Sequence, residues 1–331
     1  MPPPPAPRPG SARRAWRLIA RVIVVAVGVG LAGLTTLLVA WRVPDRPVSA
    51  LVSTWAPPPS TFLDVKGLAV HVRDEGPRDD PTPIVLLHGT GASLHTWEGW
   101  TATLAKERRV IRFDLPGFGL TGPSKDGVYS IERYIETVIA VVDALGVQRF
   151  VLAGNSLGGY VAWATTVQHP QRVDRLILVD AAGHPLQSQS VPLAFTIART
   201  PVLNRLMRDV LPRGLVERSL EDVYGDPSKV TPALVDRYFD LATREGNRAA
   251  LVARFEQTRP GTMTERLREI AAPTLILWGG RDRLIPLDHG ARFADAIPGS
   301  RLIVFDTLGH VPQEEDPAAT VAEVQRFLRS P

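Results

Sequence analysis

The chain has 331 residues, of which 44% are hydrophobic and 22% charged, so it is long enough to bury a substantial core. Its net charge of +4 comes from residues 1–21, which carry five arginines and no acid; the remainder has 33 basic and 34 acidic residues. That balance argues against a nucleic-acid partner, which requires a basic surface. The absence of cysteine excludes disulfides, thiolate metal sites and a cysteine nucleophile.

The N-terminal region combines a basic tail with a long apolar run. Residues 1–21 are rich in proline and arginine, and residues 22–41 contain no charged side chain. A helix of that length rises about 30 Å, which matches the hydrocarbon thickness of a bilayer. The pattern predicts a single-pass membrane anchor with a cytoplasmic N-terminus and the body of the chain on the extracytoplasmic, periplasmic side. The alternative is a cleaved signal peptide followed by secretion, although the run exceeds the usual signal-peptide core of about 7–15 residues.

Residues 42–60, which include three consecutive prolines, are predicted to form an extended linker. Short β-branched runs then alternate with helical patterns. Several of these runs are continuously apolar, as in strands covered on both faces. They predict a mostly parallel, eight-stranded sheet with helices on both faces. The candidate strands are Phe62–Val65, Ala69–Arg73, Ile84–Leu87, Val110–Phe113, Phe150–Ala153, Leu176–Val179, Leu275–Trp278 and Leu302–Phe305.

One interval interrupts the alternation of strands and helices. Residues 184–262 have helical but little strand character, and Thr231 followed by Pro232 is a typical helix start. We therefore predict an α/β core formed by residues 61–183 and 263–331, with residues 184–262 as a helical cap. The alternative is that these helices simply complete the core.

Ser156 is the candidate nucleophile. The apolar strand at Phe150 runs directly into Gly154-Asn155-Ser156-Leu157-Gly158-Gly159, and a helical pattern follows at once. A serine at such a strand-to-helix turn is held in a strained conformation that exposes its hydroxyl, and Gly154 and Gly158 leave room for the turn. The helix N-terminus also stabilises developing negative charge.

A serine hydroxyl needs a base, and the base needs a carboxylate that fixes its tautomer. His310 follows the last strand and so reaches the same edge of the sheet as Ser156. Asp282 lies just after the penultimate strand and is the expected acid, with Asp180, after the preceding strand, as its rival. The other histidines are less suitably placed.

Attack on a carbonyl also requires donors for the oxyanion. His88-Gly89-Thr90-Gly91 follows the third strand, so the backbone N–H groups of Thr90 and Leu157 are the expected pair. His88 and Gly89 are expected to shape this turn, as Gly154 and Gly158 shape the serine turn.

Taken together, these motifs resemble the α/β-hydrolase superfamily, specifically bacterial members with a helical cap. The resemblance runs from about Phe62 to Leu328. It rests on His88-Gly89, the segment Asp114-Leu115-Pro116-Gly117-Phe118-Gly119, Gly154 to Gly159, Gly279 to Asp282, and Gly309-His310. It implies a triad of Ser156, Asp282 and His310, with no metal or organic cofactor. A serine nucleophile argues against the haloalkane dehalogenase and epoxide hydrolase branches.

The expected reaction is hydrolysis of a small carboxylic ester through an acyl-enzyme. An apolar part of the substrate is suggested by side chains of the cap that could equally form the core of the cap: Phe195, Leu206, Tyr238, Phe239 and Phe255. Gly154-Asn155-Ser156 also resembles hydrolases that cleave C–C bonds in ring-fission products, which is the second expectation. A catalytically quiet member of the fold that binds a ligand is the third.

Overall fold

The computed structural model describes residues 10–185, 187–257 and 261–329. It does not describe the side chains of residues 10–13 and 206. The chain divides into two compact units, Met1–Val43 and Pro44–Pro331. The first unit contains helix α1, Gly10–Ala40. Its segment Arg14–Ala40 has a mean hydropathy of 2.5, and none of its most apolar stretch is buried. Length and composition therefore fit a membrane anchor or a signal sequence. The proline-rich residues 2–9 lie outside the described residues.

The second unit is built on one eight-stranded sheet, as predicted. Its strands lie in the order β1-β2-β4-β3-β5-β6-β7-β8. The pairs β1–β2 and β2–β4 are antiparallel, and all other pairs are parallel. The strands are β1 Thr61–Val65, β2 Leu68–Glu75, β3 Ile84–Leu87, β4 Val110–Phe113, β5 Phe150–Asn155, β6 Val173–Val179, β7 Thr274–Gly279 and β8 Arg301–Phe305.

Helices cover both faces of the sheet, which explains the continuous apolar runs. In β3, Val85 and Leu87 join the larger hydrophobic cluster, whereas Ile84 and Leu86 join a second cluster on the other face. Alternate side chains thus enter two cores, so every residue of the strand is buried. The helices that follow α1 are α2 Val52–Trp55, α3 Glu98–Leu104, α4 Ile131–Ala144, α5 Leu157–Gln168, α6 Leu193–Arg199, α7 Leu203–Leu206, α8 Arg213–Val223, α9 Pro232–Ala242, α10 Asn247–Gln257, α11 Leu287–Ala296, α12 Pro312–Glu315 and α13 Pro317–Arg329.

The segment between β6 and β7, here called the insert (residues 184–262), contains helices α6 to α10. Its helices share a hydrophobic cluster that includes Met207, Leu220 and Val235. Helix α9 begins as the sequence predicts, because the Thr231 side chain accepts a hydrogen bond from the backbone N–H of Leu234. Such a cap contributes about 1 kcal/mol to helix stability.

The prediction of an extended linker is wrong for residues 48–55. They form a 3₁₀ turn, Val48–Ala50, followed by α2. The reason is hydrophobic burial: Leu51 is completely buried against Leu120 and Leu241. The prolines on either side favour extended structure, but the apolar residues between them become buried in a hydrophobic core.

Candidate active site

Ser156 lies at the turn between β5 and α5. Its backbone has φ +55° and ψ −115°, a conformation that residues other than glycine rarely adopt. The turn depends on its glycines: a β-carbon on Gly154 would lie 2.1 Å from the carbonyl oxygen of Gly158, and one on Gly158 would lie 2.2 Å from that of Leu87. Both distances are impossible for real atoms, so the turn can form only with glycine at these positions.

His310 and Asp282 form a buried hydrogen-bonded pair. The distance from His310 Nδ1 to Asp282 Oδ2 is 2.6 Å, and both residues are 4% exposed. The other carboxylate oxygen, Oδ1, accepts from the backbone N–H groups of Leu284 at 2.8 Å and Ile285 at 2.9 Å. Because Asp282 is an acceptor, the proton resides on Nδ1, and Nε2 is left free to accept a proton.

Asp180, the rival acid, lies beside this pair. Its Oδ1 accepts from the backbone N–H of Gly279 at 2.9 Å, while its buried Oδ2 has no hydrogen-bond partner within the described chain. Burial, together with the charge of Asp282, raises the pKa of Asp180 well above its ordinary value. Of the two acids, Asp282 is the one whose carboxylate contacts His310.

These three residues are also the nearest approach to a metal-ligand set in the described ranges. The potential ligand atoms of Asp180, Asp282 and His310 lie within 4.8 Å of one another. However, the 2.6 Å hydrogen bond joins two of those atoms directly, which leaves no space for a cation between them. The arrangement fits a proton-holding network rather than a metal centre.

Asn155 joins the serine turn to the histidine loop. Its side-chain Nδ2 donates to the carbonyl oxygens of His310 at 2.9 Å and Val179 at 3.1 Å. Ser156 and His310 line one cavity, although no hydrogen bond joins their side chains within the described part of the chain. The structure therefore brings the predicted serine and histidine to one space and holds their backbones together through Asn155.

Of the two expected oxyanion donors, one lines the same cavity and the other directly follows Ser156. Thr90 lines it, and Leu157 is the first residue of α5, where a backbone N–H has no partner within the helix. The loop approaches the serine closely, since a β-carbon on Gly89 would lie 3.1 Å from the β-carbon of Ser156. Both predicted donors therefore belong to segments that adjoin Ser156, and their role as an oxyanion hole stays a prediction.

His88 has a structural position beneath this loop. It is completely buried, its Nδ1 donates to the carbonyl oxygen of Gly89 at 2.8 Å, and its Nε2 accepts from the backbone N–H of Leu115 at 2.9 Å. Burial lowers the pKa of His88, so it remains neutral. This agrees with its expected part in shaping the turn.

The cavity has an empty volume of about 1040 Å³, including its open mouth, and is walled largely by apolar side chains of the insert. Of the aromatic residues predicted to contact substrate, Phe195 and Tyr238 line it. Phe239 and Phe255 instead pack in the hydrophobic cluster of the insert. The side chain of Leu206 lies outside the described part. The two predicted roles, pocket wall and core of the insert, are therefore divided among these residues.

Two polar residues near the site were not singled out from the sequence. Asn155 lies inside the serine motif, in which only the flanking glycines have an obvious structural explanation. Glu315, buried after His310, accepts from the backbone N–H groups of Gly309 at 2.8 Å and Gly225 at 2.9 Å, so it holds the histidine loop against the insert. A glutamate three residues after a helix-starting proline has no local signal for such a long-range role.

Comparison with known proteins agrees with this geometry. Residues 82–317 match the family model described as alpha/beta hydrolase fold. A 2-hydroxy-6-oxo-2,4-heptadienoate hydrolase of Pseudomonas putida is 31% identical over 271 residues, which cover 79% of this chain and 93% of that protein. The meta-cleavage product hydrolase CumD of Pseudomonas fluorescens aligns with a TM-score of 0.71 at 26% identity, covering 81% of this chain and 97% of that one. A bacterial membrane phospholipase A aligns with a TM-score of 0.70 at 28% identity, covering 96% of this chain and 98% of that one.

The first two of these relatives correct the expectation of ester hydrolysis. A 2-hydroxy-6-oxo-2,4-heptadienoate contains no ester bond, so a hydrolase of that compound must break a C–C bond. The expectation was wrong because a serine, a base and oxyanion donors serve attack on any carbonyl and do not encode which bond leaves. By sequence and by fold, this chain belongs to the α/β-hydrolase family.

Proposed function

We propose that the protein is a serine-dependent hydrolase of C–C bonds beside a ketone, acting on 2-hydroxy-6-oxo-2,4-dienoates. The observation that carries this proposal is the match to the heptadienoate hydrolase over 93% of that protein's length, in a chain whose serine and histidine line one cavity. The membrane phospholipase A aligns over more of this chain than the heptadienoate hydrolase does. The proposed assay therefore includes esters as the substrates whose turnover would oppose the proposal.

The chemistry of such a compound identifies the bond that breaks. In the keto tautomer of 2-hydroxy-6-oxo-2,4-heptadienoate, negative charge on carbon 5 is delocalised through the adjacent double bond to the oxygen on carbon 2. Carbon 5 is therefore a competent leaving group, whereas the methyl carbon on the other side of the ketone is not. Because the keto form already carries the extra proton on carbon 5, its hydrolysis adds OH to carbon 6 and a proton to the oxygen on carbon 2, which gives acetic acid and 2-hydroxypenta-2,4-dienoic acid.

We assign the steps to the residues of the cavity. Ser156 Oγ attacks the ketone carbon while His310 Nε2 takes the hydroxyl proton, and the oxyanion is held by the amides of Thr90 and Leu157. The C–C bond then breaks to leave an acyl-enzyme and a dienolate, and the proton held by His310 passes to the dienolate oxygen on carbon 2. Water, deprotonated by the same histidine, releases the acid and restores the serine. Asp282 stabilises the imidazolium at each stage through its 2.6 Å hydrogen bond.

We further propose that α1 anchors the protein in a membrane, with the N-terminus in the cytoplasm and the catalytic unit on the extracytoplasmic side. Support comes from the hydropathy of 2.5 over Arg14–Ala40 and from the alignment of a membrane phospholipase A with 96% of this chain. The arginines before the apolar run supply the orientation. In the same scheme, the insert acts as a cap, since α6 to α10 form their own cluster and wall the cavity.

The reaction is tested with the detergent-solubilised full-length protein and 2-hydroxy-6-oxo-2,4-heptadienoate, by following loss of dienol absorbance and identifying acetic acid. Esters of p-nitrophenol and a phospholipid serve as the opposing arm. Turnover of the dienoate supports the proposal. Turnover of esters alone, or binding of the dienoate without cleavage, contradicts it.

A further inference from the structure

Arg254, on α10, is a buried cation without an anionic partner. The residue is 7% exposed, its Nε has no hydrogen-bond partner, and no carboxylate pairs with it within the described ranges. The ionisable groups that influence it are Tyr134 and a second cation, Arg199. Burial accordingly lowers the pKa of Arg254 to about 10. Buried charges are normally paired, so an unpaired guanidinium indicates a site that a ligand completes.

Arg199, on α6, and Arg254 both lie close to the ring of Phe255. The guanidinium carbons of Arg199 and Arg254 lie 4.5 Å and 4.8 Å from the ring centroid of Phe255. A ring attracts cations through its quadrupole but carries no net charge, so it leaves the two positive charges uncompensated. The side chain of Arg199 is exposed, so water also stabilises its charge, whereas Arg254 is buried.

Other arginines beside the cavity are paired. Arg248, which lines it, forms a 2.6 Å contact with Asp45, and Arg237 pairs with Glu314. The protein thus supplies carboxylates to neighbouring guanidinium groups and leaves Arg199 and Arg254 without one. This contrast argues for a ligand rather than for an accident of packing.

The two arginines adjoin the cavity wall. Phe255 packs edge-to-face on Phe195, with ring centroids 5.4 Å apart, and Phe195 lines the cavity. Phe195 also contacts the loop of the proposed oxyanion donors, since its Cε1 lies 3.7 Å from the position of a β-carbon on Gly91. Leu251, one turn before Phe255 on α10, lines the cavity too. The cationic pair therefore contacts Phe255, which in turn contacts the cavity wall through Phe195.

We infer that Arg199 and Arg254 form a binding site for an oxyanion, a carboxylate or a phosphate group, beside the catalytic cavity. A planar guanidinium presents paired N–H donors that match two oxygens of such a group. Neither arginine lines the catalytic cavity, so the expected ligand is a free oxyanion such as inorganic phosphate. If the proposed function is right, the carboxylate of the dienoate substrate is the other source of the same chemistry.

The test measures thermal unfolding of the detergent-solubilised full-length protein against increasing sodium acetate or inorganic phosphate, with ionic strength held constant by sodium chloride. The variants are Arg254→Met and Arg199→Met, with Arg218→Met, an exposed arginine of α8, as control. We expect the anions to raise the Tm of the wild type and of the control by about 2–4 °C. Arg254→Met should not respond, and without anions it should unfold at a higher Tm than the wild type, because an unpaired buried charge has been removed.

Equal anion responses in the wild type and in both cationic-pair variants would overturn the site. So would an unresponsive wild type. If Arg254→Met does not fold, the anion response of Arg199→Met decides the question, because replacing an exposed side chain should leave the fold intact.

Kinetics with the dienoate distinguish the two sources. A rise of about tenfold in KM for Arg254→Met, with kcat within a factor of two, identifies the substrate carboxylate as the ligand. An unchanged KM combined with the anion response identifies a free oxyanion. If the wild type does not cleave the dienoate at all, the proposed reaction fails, while the unfolding measurements still decide whether the anion site exists.

Discussion

The side-chain amide of Asn155 donates a 2.9 Å hydrogen bond to the backbone carbonyl of His310, so the residue before the proposed nucleophile holds the loop that carries the proposed base. The amide is 1% exposed and also donates to Val179. The distance between nucleophile and base is thus fixed by a group that takes no chemical part in the reaction.

Replacing Asn155 by alanine should therefore loosen the histidine loop. The carbonyls of His310 and Val179 would lose a buried donor, which costs about 1–3 kcal/mol of stability. We expect kcat on the dienoate to fall about tenfold or more, because a misplaced base impairs the reaction even when the protein stays folded. Asn204→Ala, outside the cavity, is the control for both measurements. An Asn155→Ala enzyme with unchanged kcat would refute the positioning role.

The serine turn should tolerate no side chain at Gly158. A β-carbon there would lie 2.2 Å from a backbone oxygen, whereas one on Gly214, in α8, would meet nothing within 4 Å. Gly158→Ala should lower the free energy of unfolding by about 3 kcal/mol or more. Gly214→Ala should raise it by about 0.5–1 kcal/mol, since alanine is the better helix former. Denaturation in urea measures both, and equal effects would contradict the packing described.

Stability should fall as pH is lowered from about 6.5 towards 4, partly because of His95. This residue is 6% exposed, and its neutral ring bridges Ser93 Oγ and the carbonyl oxygen of Trp55. Burial lowers its pKa from 6.5 to about 4, against the opposing field of Asp114 and with the help of Arg237. The unfolded chain therefore binds a proton that the folded one rejects between these values, and the free energy of unfolding declines through that window.

Urea denaturation at about pH 7 and about pH 5 checks this prediction. The wild type should lose on the order of 1–3 kcal/mol across the interval, and His95→Gln should lose clearly less. Other buried histidines contribute to the wild-type slope, so the difference between the two proteins is the relevant quantity. Parallel slopes would show that His95 does not titrate on unfolding.

The N-terminal helix should retain the full-length chain in membranes. Its apolar stretch has a mean hydropathy of 2.5, and an integral helix resists extraction because its side chains would otherwise face water. After expression in bacteria, the protein should stay in the membrane pellet through high-salt and alkaline carbonate washes. Release of a shortened soluble form would instead identify a cleaved signal sequence.

Much of the fold could be predicted because its signals are local. Most strands of the sheet coincide with an apolar run in the sequence, and the serine turn needs its glycines for steric reasons. Ser156, Asp282 and His310 follow three different strands, so parallel pairing alone brings them to one edge of the sheet.

What could not be predicted depends on contacts between distant segments or on chemistry that the motifs do not encode. The raised pKa of Asp180 depends on its position beside Asp282, which results from strand order, and Leu51 becomes buried only because Leu120 and Leu241 offer it a core. The scissile bond was predicted wrongly because the same residues attack the carbonyl of an ester or of a ketone.

The most direct test of the account compares wild-type protein and Ser156→Ala for acetic acid release from 2-hydroxy-6-oxo-2,4-heptadienoate. We expect the wild type to cleave the compound and the variant to lose about 10³-fold or more in kcat while keeping its fold and its affinity for the substrate. Cleavage that persists in the variant would remove Ser156 from the mechanism. A folded wild-type protein that releases no acetic acid would contradict C–C hydrolysis itself.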